Sequence, residues 1–277
     1  MQYERLYSKK VTKLITLTTD FGLSDGYVGT MRGVILNIAP DATIVDISHD
    51  ISPQNIQQGA LVLAHSVPYF PERAIHVCIV DPGVGSVRKP IAVALGETIF
   101  IAPDNGVISS AVAALSTKSN LAPRAFELTN PRYRLPRVSM TFHGRDIFSP
   151  AAAHLANGVP LEEIGTPLND FVKITPPAPK GESDGSLVGH IVYIDRFGNI
   201  ATDIQESHLA AFDPARVYVT VRGHTLKGLK RTFSETERGE LLALINSSGN
   251  LEIAQRDGNA AQALNVRVGD TVRVTKE

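Results

Sequence analysis

A buried-strand pattern that breaks on an acidic, glycine-bearing loop occurs three times in the first 106 residues, and it constrains the fold more than any other feature. In Ile75-His76-Val77-Cys78-Ile79-Val80 the apolar run is nearly continuous, as in a parallel strand covered on both faces. It stops at Asp81-Pro82-Gly83-Val84-Gly85-Ser86, where proline and glycines turn the chain and let backbone approach a ligand closely. Leu14–Thr19 runs in the same way into Asp20-Phe21-Gly22, and residues 98–102 into Pro103-Asp104-Asn105-Gly106. Each loop puts a carboxylate at the carboxyl end of a strand, the edge where open α/β sheets bind ligands. The plainer alternative is an Asp81 that only caps its turn and an Arg88 that only pairs with it on the surface.

Between these strands the spacing predicts helices. Tyr27, Met31, Val34, Ile35 and Ile38 recur at helical period, so a helix starts near Asp25, a candidate N-cap, and ends before Pro40. A strand follows over 42–47, then a second helix opened by Ser52-Pro53, with Pro53 at its first position. Strands over 90–95 and 98–102 are joined at Gly96-Glu97, and a small-residue helix spans 107–115. Residues 120–138, with Arg124, Arg132, Arg134 and Arg137 among prolines, read as a solvated loop. Thr141-Phe142-His143-Gly144-Arg145-Asp146-Ile147-Phe148 leads into a helix near 150–156. A proline-rich stretch over 176–185 reads as a linker, and short strands over 187–194, 215–221, 241–246, 251–254 and 270–274 follow it. The expected architecture is an α/β, sandwich-like domain over 11–178 and a small β-barrel domain over 186–277.

Composition narrows the function classes. A net charge of -1 with no basic tract argues against nucleic acid or a membrane surface as partner. The single cysteine, Cys78, excludes an intrachain disulfide and reads as a buried, inert thiol. Residues 1–10 lack an apolar signal core and no later run is long enough to span a membrane, so the expected location is the cytoplasm. Asp20-Phe21-Gly22 and His143-Gly144-Arg145-Asp146 mimic protein-kinase motifs but stand in the wrong order, and the GxxxxGK[ST] phosphate loop is absent. Asp20, Asp25, Asp81, Asp104 and His143 could form a carboxylate-rich ion site, yet their spacing matches no metal motif. His65, His76, His154 and His190 read as packed or solvated.

The combination of six motifs resembles a known family. They are Thr19-Asp20-Phe21-Gly22, Asp81-Pro82-Gly83-Val84-Gly85-Ser86, Ala102-Pro103-Asp104-Asn105-Gly106, Thr141-Phe142-His143-Gly144-Arg145-Asp146, Asp195-Arg196-Phe197-Gly198-Asn199 and Asn246-Ser247-Ser248-Gly249. In this order, from about Ile15 to Val274, the chain resembles the S-adenosyl-L-methionine hydroxide adenosyltransferases, relatives of the fluorinating and chlorinating adenosyl transferases. The resemblance implies an α/β domain with a carboxy-terminal β-barrel and a homotrimer whose sites lie between subunits. It implies that Asp81, Arg88 and His143 handle the attacking water and that Asp20 holds the ribose hydroxyls. Asn199 and Phe233 match adenine contacts, and Asp25, Asp195 and Ser247 match positions holding the methionine portion. Two departures from the halogenating members stand out: Ser248 in place of an arginine, and a direct Gly96-Glu97 turn where they insert a loop.

The expected reaction is hydrolysis of S-adenosyl-L-methionine to adenosine and L-methionine, with no metal or other cofactor. A sulfonium departs as neutral methionine, so attack at the ribose C5′ needs no general acid. It needs an activated oxygen nucleophile, which Arg88 would favour in its deprotonated form while His143 accepts or relays the proton and Asp81 orients the pair. Halide transfer is a second enzyme reading. A non-catalytic sensor of the adenosyl ligand is the reading from another class.

Overall fold

The structure, a computed structural model, describes residues 13–277. The polar stretch over 1–10, and residues 11 and 12 at the start of the expected first domain, lie outside the described residues. The chain divides into two units at Thr175/Pro176.

The first unit is built on β1 (Leu14–Thr19), α1 (Tyr27–Ile38), β2 (Thr43–Ser48), α2 (Ile56–Ser66), β3 (Ile75–Ile79), β4 (Pro90–Leu95), β5 (Thr98–Pro103), α3 (Ser109–Ser119), β6 (Arg124–Glu127), α4 (Ser149–Ala156) and β7 (Thr166–Leu168). Its seven-stranded sheet has the order β2-β1-β3-β5-β4-β6-β7, parallel from β2 to β5 and antiparallel beyond. Every residue of β3 is buried, as its apolar run requires. Alternate residues feed opposite faces. Val77 and Ile79 join Met31 and Ile35 of α1 and Ala151–Ala153 of α4, whereas Cys78 and Val80 join Leu63 of α2 and Val112 of α3. Two helices on each face make three layers, and the thiol of Cys78 is pushed up by burial.

The chain leaves β1 for β2 on one side and later returns to β3 on the other. The crevice at the carboxyl ends of β1 and β3 is therefore a topological switch point, where parallel sheets hold ligands. Asp20 and Asp81 both emerge at that edge.

Four local expectations need correction. Asp25 caps nothing: Gly26 occupies the N-cap of α1, without a side-chain cap. Helix α2 starts at Ile56 rather than Pro53, because Gln54 adopts a left-handed φ of 65° and Asn55 caps the helix through Gln58 N. Helix α3 runs over Ser109–Ser119, two residues later at its start than the sequence reading, and ends on Asn120 in the left-handed region. The arginine-bearing segment is not all loop, since Arg124–Glu127 pairs with β4 and buries Ala125 and Phe126.

The second unit is one nine-stranded sheet: β8 (Lys180–Gly181), β9 (Leu187–Ile194), β10 (Ile200–Gln205), β11 (Val217–Val221), β12 (His224–Lys227), β13 (Leu229–Lys230), β14 (Leu241–Ile245), β15 (Asn250–Gln255) and β16 (Thr271–Lys276), with a short helix α5 (Ala260–Leu264). The order β12-β11-β16-β9-β10-β15-β14-β13, with β8 against β9, curls into a nearly closed barrel around Ile191, Ile200, Val219, Leu251, Ile253 and Val274.

Buried histidines set a pH limit on the first unit. His76 lies between the Phe100 and Phe70 rings and bonds Thr16 Oγ1 through Nδ1 at 2.8 Å, and burial lowers its pKa to about 4. His49 is likewise lowered to about 4, by burial and by Arg32. With folded values below the unfolded 6.5, the unfolded chain binds more protons between pH 6.5 and 4. Stability is thus full above pH 6.5 and falls toward pH 4, by up to about 3 kcal/mol per histidine. Urea midpoints measured across that window check this, and a flat profile would contradict it.

Candidate active site

The strand-end loops bring Asp81, Arg88 and His143 together. Arg88 Nε donates to Asp81 Oδ1 at 3.0 Å, and its Nη2 donates both to Asp81 Oδ2 and to His143 Nδ1, the latter at 2.7 Å. The Arg88 and Asp81 side chains are only 9% and 6% exposed. Arg88 also stacks over the Phe148 ring, its Cζ 5.4 Å from the centroid. Guanidinium is a donor only, so His143 Nδ1 must accept, and the neutral ring carries its proton on Nε2. Burial first, and then Arg88, lower the His143 pKa, against the opposing pull of Asp81 and Asp146.

The loop that returns Arg88 to Asp81 depends on glycine. Gly85 has φ +77°, and a Cβ there would stand 2.5 Å from Met140 O. Gly85→Ala is expected to cost about 2 kcal/mol or more and to reduce turnover by displacing Arg88. Thermal melts and a rate assay check this, and an unchanged melting temperature would contradict it.

His143 is held from behind by a residue the sequence reading quoted only as part of a motif. Asp146, fully buried, accepts from Ser139 N at 2.8 Å and from Arg145 Nε at 2.6 Å, which fixes the segment before His143. Residues Gly144–Phe148 form a π-helical turn, a widening often found at functional sites. Gly144 is needed because a Cβ would meet Met31 Sδ and Phe142 Cε2, both at 3.2 Å. Phe142, Tyr27 and Phe21 form an edge-packed trio, with centroids 5.2 to 6.1 Å apart, which ties this loop to the Asp20 loop.

Asp20 is half-buried at the same sheet edge and accepts from Gln54 N at 2.7 Å. Behind it, Thr19 Oγ1 accepts from Phe21 N at 3.2 Å and bonds His49 Nδ1 at 2.8 Å, while Gly22 N donates to His49 O. Asp25 is exposed in the turn before α1. Asp104 and Asn105 serve the backbone: Asp104 Oδ1 accepts from Val172 N, and Asn105 Nδ2 donates to Val80 O. Among the described residues no group of three or more His, Cys, Asp or Glu is arranged to hold a metal ion.

The remaining predicted residues lie in the second unit. Asp195, Asn199, Phe233 and Ser247 all line one cleft of about 780 Å³. Asp195 Oδ1 accepts from the backbone N–H groups of Phe197 and Asn199, and its Oδ2 accepts from Asn199 Nδ2 at 2.9 Å. The turn requires Gly198, at φ +86°, because a Cβ would collide with the Asn259 side chain. Asn199 uses one of its two amide N–H groups on Asp195, which leaves the other and the carbonyl oxygen for a ligand. Phe233 and Phe197 are 42% and 74% exposed, so two aromatic faces border the cleft. Arg231, Asn246 and Glu252 also line it and were not singled out from sequence. The signal for Glu252 was present, as a carboxylate inside the otherwise apolar Leu251-Glu252-Ile253-Ala254 run.

Both units have known counterparts. Residues 15–165 match the SAM hydroxide adenosyltransferase N-terminal domain, and residues 189–273 match its C-terminal domain. The chain is 39% identical to an (R)-S-adenosyl-L-methionine hydrolase of Salinispora arenicola over 266 residues, covering 95% of this chain and 98% of that one. It is 28% identical to a fluorinase of Actinopolyspora mzabensis over 297 residues, covering 95% and 97%. The crystal structure of an uncharacterized conserved protein from Thermotoga maritima superposes with a TM-score of 0.86 at 35% identity, covering 95% of this chain and 100% of that one. With both domains matched in order and the Asp81-Arg88-His143 constellation assembled at the switch point, the chain belongs to the SAM hydroxide adenosyltransferase family.

Proposed function

We propose that this protein hydrolyses S-adenosyl-L-methionine to adenosine and L-methionine, the (R) form named for its Salinispora relative being the first substrate to test. The observation that carries the reading is the 2.7 Å bond from Arg88 to His143 Nδ1, on a guanidinium already paired with Asp81. The Nη1 end of Arg88 takes no part in those bonds, and His143 presents Nε2–H. Together they offer two donors to an oxygen nucleophile and favour its hydroxide form. This geometry supports a donor role for His143 over the proton-accepting role read from sequence, because the ring's lone pair is occupied by Arg88.

Hydroxide attacks C5′ in line with the departing sulfur: the C–O bond forms, the C–S bond breaks with its electron pair going to sulfur, and the water's proton passes to solvent. Methionine leaves neutral at sulfur, so the chain needs neither a general acid nor a cofactor. Attack by an anion on a sulfonium annihilates charge, which a desolvated pocket favours. Asp20 takes the ribose hydroxyls, Asn199 and Phe233 the adenine, and Asp25, Asp195 and Ser247 the methionine portion. The assembly in this reading is a homotrimer with its sites at subunit interfaces, consistent with exposed Val87 and Met140 in the loops that lead to Arg88 and His143, and with exposed Leu23 in the Asp20 loop and Tyr27 at the start of α1. It works on a small molecule in the cytoplasm, without nucleic acid or membrane. No helix among the described residues is long and apolar enough to cross a membrane.

Chromatography of the purified protein with S-adenosyl-L-methionine tests this. Adenosine and methionine appearing in equal amounts without halide is the expected result. Substrate left intact would overturn it, and turnover only with added halide would move the chain to the halogenating reaction.

A further inference from the structure

Glu252 lies in the middle of β15, between Leu251 and Ile253, which are wholly buried in the barrel core. Strand alternation turns its side chain to the opposite face, where Leu244, Asn246 and Ser247 line the same cleft. The residue is only 9% exposed. Asn246 Oδ1 accepts from the backbone amides of Ser248 and Asn250, both at 3.0 Å, which fixes the carboxamide so that its Nδ2 donates to Glu252 Oε2 at 3.1 Å. Asp195 lines the cleft beside it. Burial first, and then this second carboxylate, raise the proton affinity of Glu252, against the Asn246 bond. Among the described residues neither carboxylate has a Lys, Arg or His nitrogen within ion-pair distance; Arg231 is the one cation in the cleft lining, and the third carboxylate there, Asp257, is already paired with Arg238 at 3.1 Å.

A buried carboxylate without a counter-ion is costly, and a cation delivered by the ligand removes that cost. The adenosyl substrate carries two cationic centres. The sulfonium has no N–H and cannot donate a hydrogen bond. The α-ammonium has three donors, and charge-assisted bonds to a carboxylate are the strong class. The adenine amine can donate but is neutral, so it leaves the charge uncompensated.

We propose that Glu252, next to Asp195, is a specificity residue that recognises the α-ammonium group at the amino-acid end of the substrate, an assignment that rests on the reading of this cleft as the S-adenosyl-L-methionine site. The consequence is selection for ligands with a free amino group, at a position apart from the triad that activates the nucleophile.

The test compares S-adenosyl-L-methionine with its deamino counterpart, in which hydrogen replaces the α-ammonium, by calorimetry and steady-state kinetics on the wild type and on Glu252→Gln. The wild type is expected to prefer the amino ligand by 10-fold or more. Glu252→Gln, nearly isosteric and able to keep the Asn246 contact, is expected to reduce that preference by roughly 10-fold to 100-fold, chiefly through KM, with kcat changed less. Affinity for the deamino ligand should stay within about 3-fold, and Glu252→Asp should retain part of the preference. An unchanged preference in Glu252→Gln would overturn the assignment, as would an equal loss for both ligands, which marks a purely structural or adenine contact. Wild-type protein that discriminates the two ligands without turning either over would sink the hydrolase reading while leaving the recognition intact. Failure to bind either ligand would overturn both.

Discussion

His143→Ala is expected to lower kcat by about 10²–10³-fold while leaving the affinity for S-adenosyl-L-methionine within a few-fold. In the proposed mechanism the side chain removed carries one of the two donors to the nucleophile, and none of the ribose, adenine or methionine contacts. Arg88 keeps both bonds to Asp81, so the electropositive centre survives and residual turnover with it. The pH profile distinguishes a donor from a base. Nε2 carries a proton whether the ring is neutral or charged, so activity does not require His143 to lose one. Protonating Nδ1, however, sets an imidazolium against the Arg88 guanidinium 2.7 Å away. Because burial and Arg88 lower the His143 pKa, the acid limb should fall below pH 6.5 and should vanish in the alanine variant. Turnover unaffected by the substitution would remove His143 from the chemistry. A purified variant that no longer binds substrate would instead assign it to binding.

Arg88→Ala should be more damaging, because it strips the partner from a carboxylate that is 6% exposed. Removing one member of a buried ion pair costs about 3–5 kcal/mol, mostly through the charge left behind. Activity should disappear as well, since the variant loses the guanidinium beside the nucleophile and the bond that fixes the His143 ring. Arg88→Lys should recover much of the stability and little of the rate, because an ammonium cannot span both Asp81 oxygens and His143 Nδ1 with one planar fork. Pairing Arg88→Leu with Asp81→Asn should restore the melting temperature without restoring turnover. If that double variant melted as low as Arg88→Ala, the stability loss would come from packing against Phe148 rather than from an orphaned charge.

The parts of this fold written in contiguous residues were legible in the sequence. Strands β1, β3, β4 and β5 are β-rich, largely apolar runs that break on turn-forming loops, and the tight Gly96 turn between β4 and β5 takes a φ of 58° that suits glycine. The parts that depend on distant partners were not. Strand β6 is four residues with charged ends, and only its pairing with β4 makes it a strand. Strand β10 hides its pattern behind Thr202 and Asp203, which are buried because Thr202 Oγ1 donates to Leu251 O and Asp203 Oδ1 accepts from His190 N. Pro53 suggested a helix start, but the left-handed Gln54 places a turn between it and Asn55.

The site divides along the same line. Asp20 and Asp81 follow from strand-end logic alone, whereas the meeting of Arg88 with His143, 55 residues apart, became an expectation only through the family resemblance. Asp146 looked like one letter of a motif, although its burial makes it the anchor of the His143 loop. Glu252 shows how an alternation pattern can hide a cleft-lining residue. On a strand of a curled sheet one face fills the core, and a polar residue on the other face looks merely solvent-facing until a cleft is found over it.

Turnover of S-adenosyl-L-methionine in ¹⁸O-labelled water, with products followed by mass spectrometry, decides whether water is the nucleophile. Adenosine labelled at its 5′ oxygen together with unlabelled methionine is the expected result, since the new C–O bond is made at C5′. Adenosine formed without label would mean that water is not the nucleophile, and the roles given to Asp81, Arg88 and His143 would fall.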